Sequence, residues 1–167
     1  YSGDCCAAIS ARINHPMGIG MDGGGSLYFA DYGNNVVRKV NPAGVITTIA
    51  GNGTAGFAGD GGPAAATACE LNGPVAVVTD ATGNVFISDN LNERIRKVNP
   101  AGIISTIIGD GTAGSTGDGF LATGARVSGP FGLCVDGASN LYFADAGNNK
   151  IRVIGLGGVV NTIVGTG

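Results

Sequence analysis

The 167-residue sequence contains no tryptophan and a single histidine, His15. A metal-dependent hydrolase or lyase needs several convergent ligands, normally including more than one histidine, so one histidine in a loop argues against such a site. No Gly-x-Ser-x-Gly nucleophile motif occurs, and no second histidine is present to act as a base. The sequence therefore predicts a protein that is not an enzyme, with no catalytic residue, no metal site and no cofactor.

Long apolar runs and positive charge are also scarce. No apolar run approaches the roughly 18 residues that a membrane-spanning helix requires, so we expect no membrane insertion. The formal net charge of -3 argues against general affinity for nucleic acid or anionic membranes. Three aspartates in glycine-rich loops, Asp60, Asp110 and Asp118, lack the alternating ligand spacing of a calcium-binding loop. A calcium site is therefore not expected either.

Glycine is abundant, with 32 residues, but it shows no Gly-X-Y period, which excludes a collagen-like chain. The glycines fall where turns would recur, which favours an all-β fold with many tight connections. The stretch Ser26–Gly51, SLYFADYGNNVVRKVNPAGVITTIAG, reads as three short strands. The Gly33-Asn34-Asn35 and Asn41-Pro42-Ala43-Gly44 segments between them have turn chemistry, because asparagine tolerates positive φ and proline presets φ.

This stretch occurs three times, the second copy at Asn84–Gly109 and the third at Asn140–Gly165. Several positions are identical in all copies and lie 58 and then 56 residues apart. They include the aspartates Asp31, Asp89 and Asp145, the asparagines Asn34, Asn92 and Asn148, and the arginines Arg38, Arg96 and Arg152. A fixed repeat of this length fixes the architecture of the chain.

Each copy is preceded by a long loop and a further strand. The loops 3–16, 59–74 and 117–130 align, and the strands Gly18–Met21, Val75–Val78 and Phe131–Val135 follow them. Four antiparallel strands per repeat predict propeller blades, because each sheet buries its faces against its neighbours. We expect one domain, 1–167, with blade 1 at about 3–51, blade 2 at about 59–109 and blade 3 at about 117–167. Ile13, Leu71 and Val127 should anchor the loops to the core.

The motifs resemble NHL repeats of the bacterial type, which combine a GDGGPA loop, an LNGP segment and an LYIAD-GNN-IRKV core. Here they read GDGGPAAATACELNGP, LYFADYGNNVVRKV and LYFADAGNNKIRVI. The resemblance implies propeller blades, and the family includes closed rings of about six blades that bind protein or RNA, secreted repeat proteins and an amidating lyase that uses metal and histidine. With three repeats, the chain would form half of a six-bladed propeller or an open array of blades.

The recurrent charged residues have two interpretations. Asp31, Asp89 and Asp145 could form, with Arg38, Arg96 and Arg152, a ring of charges lining a ligand channel. Alternatively, each aspartate accepts backbone N–H bonds at its turn, and each arginine spans neighbouring blades. Because a binding site is usually made by what differs between repeats, we favour the structural role.

Most of the nine lysines and arginines lie on the third strand of a repeat: Arg38, Lys39, Arg94, Arg96, Lys97, Lys150 and Arg152. Some NHL propellers bind RNA on a basic face, but no exposed aromatic platform interleaves these cations and acidic residues outnumber them. We therefore expect a solvated blade edge and no nucleic-acid partner.

Three cysteines lie in equivalent loops of neighbouring repeats. Cys5 and Cys6 replace Gly61 and Gly62, and Cys69 lies in the segment inserted into the next loop. Neighbouring blades place these loops on the same side, so we predict a disulfide from Cys69 to Cys5 or Cys6, which implies an oxidising, extracellular setting. The fourth cysteine, Cys134, is on a predicted first strand and is expected to be a buried apolar thiol. Asn52-Gly53-Thr54 is an N-glycosylation sequon, so Asn52 is a candidate glycosylation site.

The sequence thus predicts a non-catalytic structural or interaction protein, located outside the cell or on its surface. Its expected partner is itself, through head-to-tail association of blade 3 with blade 1 of the next copy into a closed propeller or a filament. Glycans or protein ligands are further candidate partners. The alternative is a ligand- or protein-binding fragment of a longer six-bladed propeller, in keeping with a chain that opens on Tyr1 rather than Met and so reads as processed or excised. A lyase or hydrolase ranks third.

Overall fold

The computed structural model describes residues 1–167 and contains three antiparallel β-sheets that do not close into a ring. Blade 1 is the sheet β1-β5-β4-β3-β2, blade 2 is β6-β7-β8-β9, and blade 3 is β10-β11-β12-β13. The strands are β1 (Cys6–Ala7), β2 (Pro16–Met21), β3 (Leu27–Asp31), β4 (Val36–Val40), β5 (Val45–Ala50), β6 (Pro74–Thr79), β7 (Val85–Asp89), β8 (Arg94–Val98), β9 (Ile104–Ile108), β10 (Pro130–Val135), β11 (Leu141–Asp145), β12 (Lys150–Ile154) and β13 (Val160–Val164). The expectation of an all-β chain of three four-stranded blades is therefore confirmed.

The turns form for the reasons that the sequence indicates. In blade 1, a 3-10 turn over Tyr32–Asn34 ends at Asn35, which adopts φ 53°. The next turn closes when Gly44 donates its N–H to the carbonyl of Asn41, 2.8 Å away. Because asparagine tolerates the left-handed region and glycine enters it without steric cost, these short connections bring consecutive strands into register. The same two turns recur in the other blades.

The long loops lie against the outermost strand of the blade that they precede. In blade 1 this loop forms an additional strand, β1, which the sequence did not predict, with Cys6 opposite Ile46 and Ala7 opposite Val45. In blade 2 the corresponding loop meets the start of the fourth strand through the bridge Pro63–Ile103, and in blade 3 through the bridge Leu121–Val159. Each loop is therefore part of its own blade rather than a free connection.

The two hydrophobic cores lie between the blades. We call the face of a blade that turns toward the preceding repeat its front face, and the opposite one its rear face. The first core packs the rear face of blade 1, with Tyr28 and Val37, on the front face of blade 2, with Val85 and Ile87. The second core packs Ile95 and other rear-face residues of blade 2 on blade 3. The structure contains no helix of the length and apolarity needed to cross a membrane.

Candidate interaction surface

The recurrent arginine, aspartate and asparagine residues form a buried network in each repeat. In blade 2 the fully buried Arg96 donates to Asp60 at 2.6 Å and to Asp89 at 3.2 Å. Asp89 also accepts the backbone N–H of Asn72 at 2.7 Å and the side-chain amide of Asn92 at 2.8 Å. Burial raises the pKa of Asp89, although these hydrogen bonds and Arg96 oppose the rise. The network ties the loop, the second strand and the third strand of one repeat together.

The same placement holds in the other repeats. Arg152 in blade 3 donates to Asp118 at 2.8 Å and to Asp145 at 3.4 Å, and Arg38 in blade 1 donates to Asp4 at 2.7 Å. The aspartates Asp31, Asp89 and Asp145 are fully buried, and each accepts a backbone N–H from the long loop of its own repeat rather than from its own turn, as Asp31 does from Asn14. Since buried side chains cannot line an open channel, these residues do not form an exposed ring of charges.

Two expectations about the arginines need correction. Each was expected to span neighbouring blades, but the carboxylate partners of Arg38, Arg96 and Arg152 all lie in the arginine's own repeat. The physical reason is that the preceding loop folds back on its own blade and brings an aspartate to the guanidinium group. The solvated edge expected for the cations as a group does not include these three arginines, whose burial and carboxylate partners agree with the structural role favoured for them. Lys39, Lys97, Lys150 and Arg94 are half-buried.

The three loop aspartates considered for calcium are each paired with an arginine instead. Asp60 binds Arg96, Asp118 binds Arg152, and Asp110 binds Arg126 at 2.8 Å. No group of three or more His, Cys, Asp or Glu side chains is placed to hold a metal ion. For Asp60, burial acts to raise the pKa, but hydrogen bonds from Thr106 and Arg96 outweigh it and the pKa is lowered.

The predicted disulfide is absent, because all four cysteines are free thiols. Cys69 is fully buried in the core between blades 1 and 2, where it fills the slot beside Gly59 that Ala125 fills beside Gly117 in blade 3. Cys5 and Cys6 are exposed, with β1 along the outer edge of blade 1. The buried thiol of Cys69 is therefore part of the core between the blades, away from the exposed Cys5 and Cys6. The expectation for Cys134 is also wrong, because its side chain is exposed on β10.

The remaining candidate residues lie on the surface. His15 is exposed, adopts φ 55° and contacts the ring of Tyr32 edge-on, with ring centroids 5.6 Å apart. Asn52 is half-buried in the turn after β5, where its side-chain nitrogen donates to the carbonyl of Thr67 and its oxygen accepts the N–H of Thr54. The nitrogen that would carry a glycan is thus engaged within the turn.

Two grooves open between the blades, one of about 610 Å³ between blades 1 and 2 and one of about 500 Å³ between blades 2 and 3. They are lined at equivalent positions, Tyr28 and Lys39 in the first and Phe86 and Lys97 in the second. The grooves therefore recur at each junction as a property of blade packing, although some equivalent positions carry different residues, such as Pro63 in the first and Leu121 in the second.

The front face of blade 1 is apolar and uncovered. Ile13 is 48% exposed, whereas its counterparts Leu71 and Val127 are fully buried. Ile19 is 70% exposed, whereas its counterpart Val77 is 4% exposed against blade 1. These positions form the same face in every repeat, so the difference arises because blade 1 has no preceding blade in the structure. We call Ile13, Ile19 and Met21, which are all exposed, the front patch.

The rear face of blade 3 is uncovered in the same way. Ile151 is 36% exposed, whereas its counterparts Val37 and Ile95 are fully buried. Val164 is 60% exposed, whereas Ala50 and Ile108 at the same position are fully buried. We call Ile151, Ile163 and Val164 the rear patch. The molecule therefore has two exposed apolar surfaces, one front face and one rear face. At each internal junction between blades, a rear face packs on a front face in the same way.

Among these six patch residues, the sequence analysis assigned a role only to Ile13, as a core anchor. The pattern of apolar residues does not distinguish a face that meets a neighbour from a face that does not. The repeat alignment could have identified the patch residues. Both faces of blade 2 are buried, and the alignment shows which positions of blades 1 and 3 are equivalent to the buried positions of blade 2.

Comparison with known proteins agrees with this architecture. A family model described as the Teneurin NHL domain matches residues 1–58. Teneurin-4 from Mus musculus is 27% identical over 169 residues, covering 93% of this chain but only 6% of that protein. The chain thus corresponds to a small part of the length of this relative.

Solved structures show the same fold. An auxiliary nutrient binding protein from Bacteroides ovatus superposes with a TM-score of 0.69 at 20% identity, covering 98% of this chain and 38% of that one. A streptogramin B lyase superposes with a TM-score of 0.64 at 13% identity, covering 95% of this chain and 43% of that one. At these identities the likeness concerns the fold alone. By its repeats, its blades and these similarities, the chain is similar to NHL-repeat β-propeller proteins, and its fold is that of propeller blades.

Proposed function

We propose that the chain is a non-catalytic interaction module of an extracellular or cell-surface protein, and that a second copy of the same chain covers its open faces. The rear patch of blade 3 would pack on the front patch of blade 1 in the next copy. The observation that carries the proposal is the contrast in exposure between equivalent positions, such as Ile151 at 36% and Ile95 at 0%.

The proposed extracellular or cell-surface location is inferred from the similar proteins. The teneurins are cell-surface proteins, and the part of them that resembles this chain is an NHL domain. The disulfide that would have supported the same location is not formed, so the argument for an extracellular position rests on the resemblance. Glycosylation of Asn52 would fit this location and remains a prediction.

Head-to-tail packing is favoured because the two patches are of opposite kinds. Inside the chain a rear face always meets a front face, as in the core that joins Val37 of blade 1 to Ile87 of blade 2. A contact of this heterologous type closes into a ring when the rotation allows and otherwise continues as a filament. Contiguous exposed apolar faces tend to associate in water. Two chains of three blades would match the usual ring of about six.

The test is the association of surface variants, measured by sedimentation velocity over a range of protein concentration. Ile151→Asp places a charge in the rear patch and should abolish association. The matched control is Leu156→Asp, because Leu156 is 78% exposed but lines the groove toward blade 2, away from the open face. The control should associate like the wild type.

Equal association of both variants and the wild type would refute the proposed contact. The competing interpretation is that the open faces belong to a longer propeller and are covered by further blades of the same polypeptide. A wild-type chain that stays monomeric, together with a longer natural chain that contains more repeats, would favour that interpretation.

A further inference from the structure

One type of hydrogen bond, from a backbone N–H to a side-chain oxygen, recurs at both internal junctions between blades. At one end of the chain the equivalent donor has no partner, and at the other end the equivalent acceptor has none. The bond involves the residue in the left-handed conformation that ends the 3-10 turn after the second strand of each blade: Asn35, Glu93 and Asn149, with φ of 53°, 53° and 54°. It also involves the residue just before the first strand: His15, Gly73 and Gly129, with φ of 55°, 58° and 54°. The two sets share backbone geometry in all three repeats.

At each internal junction the first set accepts a hydrogen bond from the second. The side-chain oxygen of Asn35 in blade 1 accepts the backbone N–H of Gly73 in blade 2, at 3.0 Å. A carboxylate oxygen of Glu93 in blade 2 accepts the backbone N–H of Gly129 in blade 3. Both bonds are partly shielded from water, so each ties one blade to the next at a fixed register.

The ends of the chain carry the two unmatched halves. The side chain of Asn149 in blade 3 and the backbone N–H of His15 in blade 1 engage in no hydrogen bond. Since the proposed head-to-tail contact brings blade 3 of one copy to blade 1 of the next, we infer that Asn149 of one copy accepts the backbone N–H of His15 of the next. This inference rests on the proposed self-association. We call the hydrogen bond between Asn149 and His15 the latch, because it would set the register of one copy against the next.

The side chains around this bond also differ between the junctions. A side chain at Gly73 would collide with Leu91 of its own blade and with the ring of Tyr32 in the preceding blade, each about 3 Å from its Cβ. His15 carries a side chain at the same position. Its own blade offers Gly33 where blade 2 has Leu91, and blade 3 of the preceding copy would offer Ala146 where blade 1 has Tyr32. Both of these equivalent positions carry small residues, so a side chain at position 15 would meet less crowding there than one at Gly73 would.

Because blade 1 carries the larger His15 where blade 2 has Gly73, its front face should accept only a blade with a small residue at the position of Ala146. A rear face of the blade 1 type, with Tyr32 at that position, would collide with the imidazole ring. The latch thus selects blade 3 of a second copy as the partner of blade 1, rather than any open NHL rear face.

Four variants test the latch by sedimentation velocity, with circular dichroism to show that each one folds. Asn149→Gly removes the acceptor and keeps the left-handed backbone free of strain, so the association constant should fall about tenfold. Asn149→Asp keeps an acceptor oxygen, as Glu93 does, and should associate like the wild type. Ala146→Tyr should block association, and the double variant Ala146→Tyr with His15→Gly should restore it, because it recreates the Tyr32–Gly73 pair.

The outcomes separate the latch from the proposed function. Wild-type association that neither Asn149→Gly nor Ala146→Tyr changes would overturn the latch and leave self-association standing. Loss of association in Ala146→Tyr without rescue by His15→Gly would overturn the specificity assigned to His15. A wild-type chain that remains monomeric at all concentrations would overturn both the latch and the self-association on which it rests.

Discussion

Replacing Arg96 by methionine removes the central cation of the blade 2 network while keeping a side chain of similar length. The guanidinium group is fully buried and donates to Asp60, to Asp89 and to the carbonyl oxygens of Ala58 and Glu70. Without it, the fully buried carboxylate of Asp89 loses its only cationic partner. Removing one partner of a buried ion pair typically costs about 3–5 kcal/mol, so we expect the free energy of unfolding to fall by that amount.

The loss should be large on the scale of the whole protein. Stabilities of single domains are about 5–15 kcal/mol, and for a chain of this length each kcal/mol corresponds to about 2–4 °C in melting temperature. Arg96→Met should therefore lower the melting temperature by about 6–20 °C. Urea titration followed by circular dichroism measures the free energy, and a thermal scan gives the second value.

Two matched variants calibrate this result. Arg38→Met should cost less, because Arg38 keeps one close carboxylate partner, at 2.7 Å, and two of its guanidinium nitrogens have no hydrogen-bond acceptor. Arg126→Met removes an exposed pair and should cost at most about 1 kcal/mol. If Arg96→Met costs no more than Arg126→Met, the network is not a major source of stability and the reasoning fails.

Two further predictions concern single residues. Asp60 has a lowered pKa in the folded protein, so its contribution is present above the unfolded value of about 4 and is lost as pH falls through the folded pKa. Asp60→Asn should therefore cost about 1 kcal/mol at neutral pH, discounted for partial exposure, and flatten the acid limb of the stability curve; an unchanged acid limb would contradict this assignment. Cys69 is buried and burial raises its pKa, so it should react with a thiol reagent only after unfolding, whereas the exposed Cys6 reacts in the folded protein; fast labelling of Cys69 in the native state would show that its position in the core is wrong.

The fold could be predicted from the sequence because the same pattern of strands and turns occurs in three repeats. The apolar run Leu27–Asp31, the turn ending at Asn35 and the Asn41–Gly44 turn each follow local rules, and their recurrence fixes the four-stranded unit. The strands fall where the pattern placed them. The extra strand β1 was missed because Cys6 and Ala7 have no strand periodicity, and they pair only because the loop folds back along β5.

The site was less predictable, because contacts between distant residues decide it. That Arg38, Arg96 and Arg152 repeat was visible, but the partner of each arginine depends on where the long loop folds. The cysteine pattern suggested a disulfide, whereas the direction in which the Cys69 side chain points is set by core packing between blades 1 and 2. The sequence predicted that blades 1 and 3 associate head to tail, but the residues of the open faces and the unmatched pair Asn149 and His15 become evident only when equivalent positions are compared for burial and bonding.

The central claim is that the front patch of one copy and the rear patch of another cover each other. Light scattering of the unmodified 167-residue chain, recorded as a function of protein concentration, tests it most directly. The account predicts a particle of at least twice the 16.4 kDa chain mass, a discrete dimer for a closed ring or a mass that grows with concentration for a filament. A mass of 16.4 kDa at every concentration would contradict it.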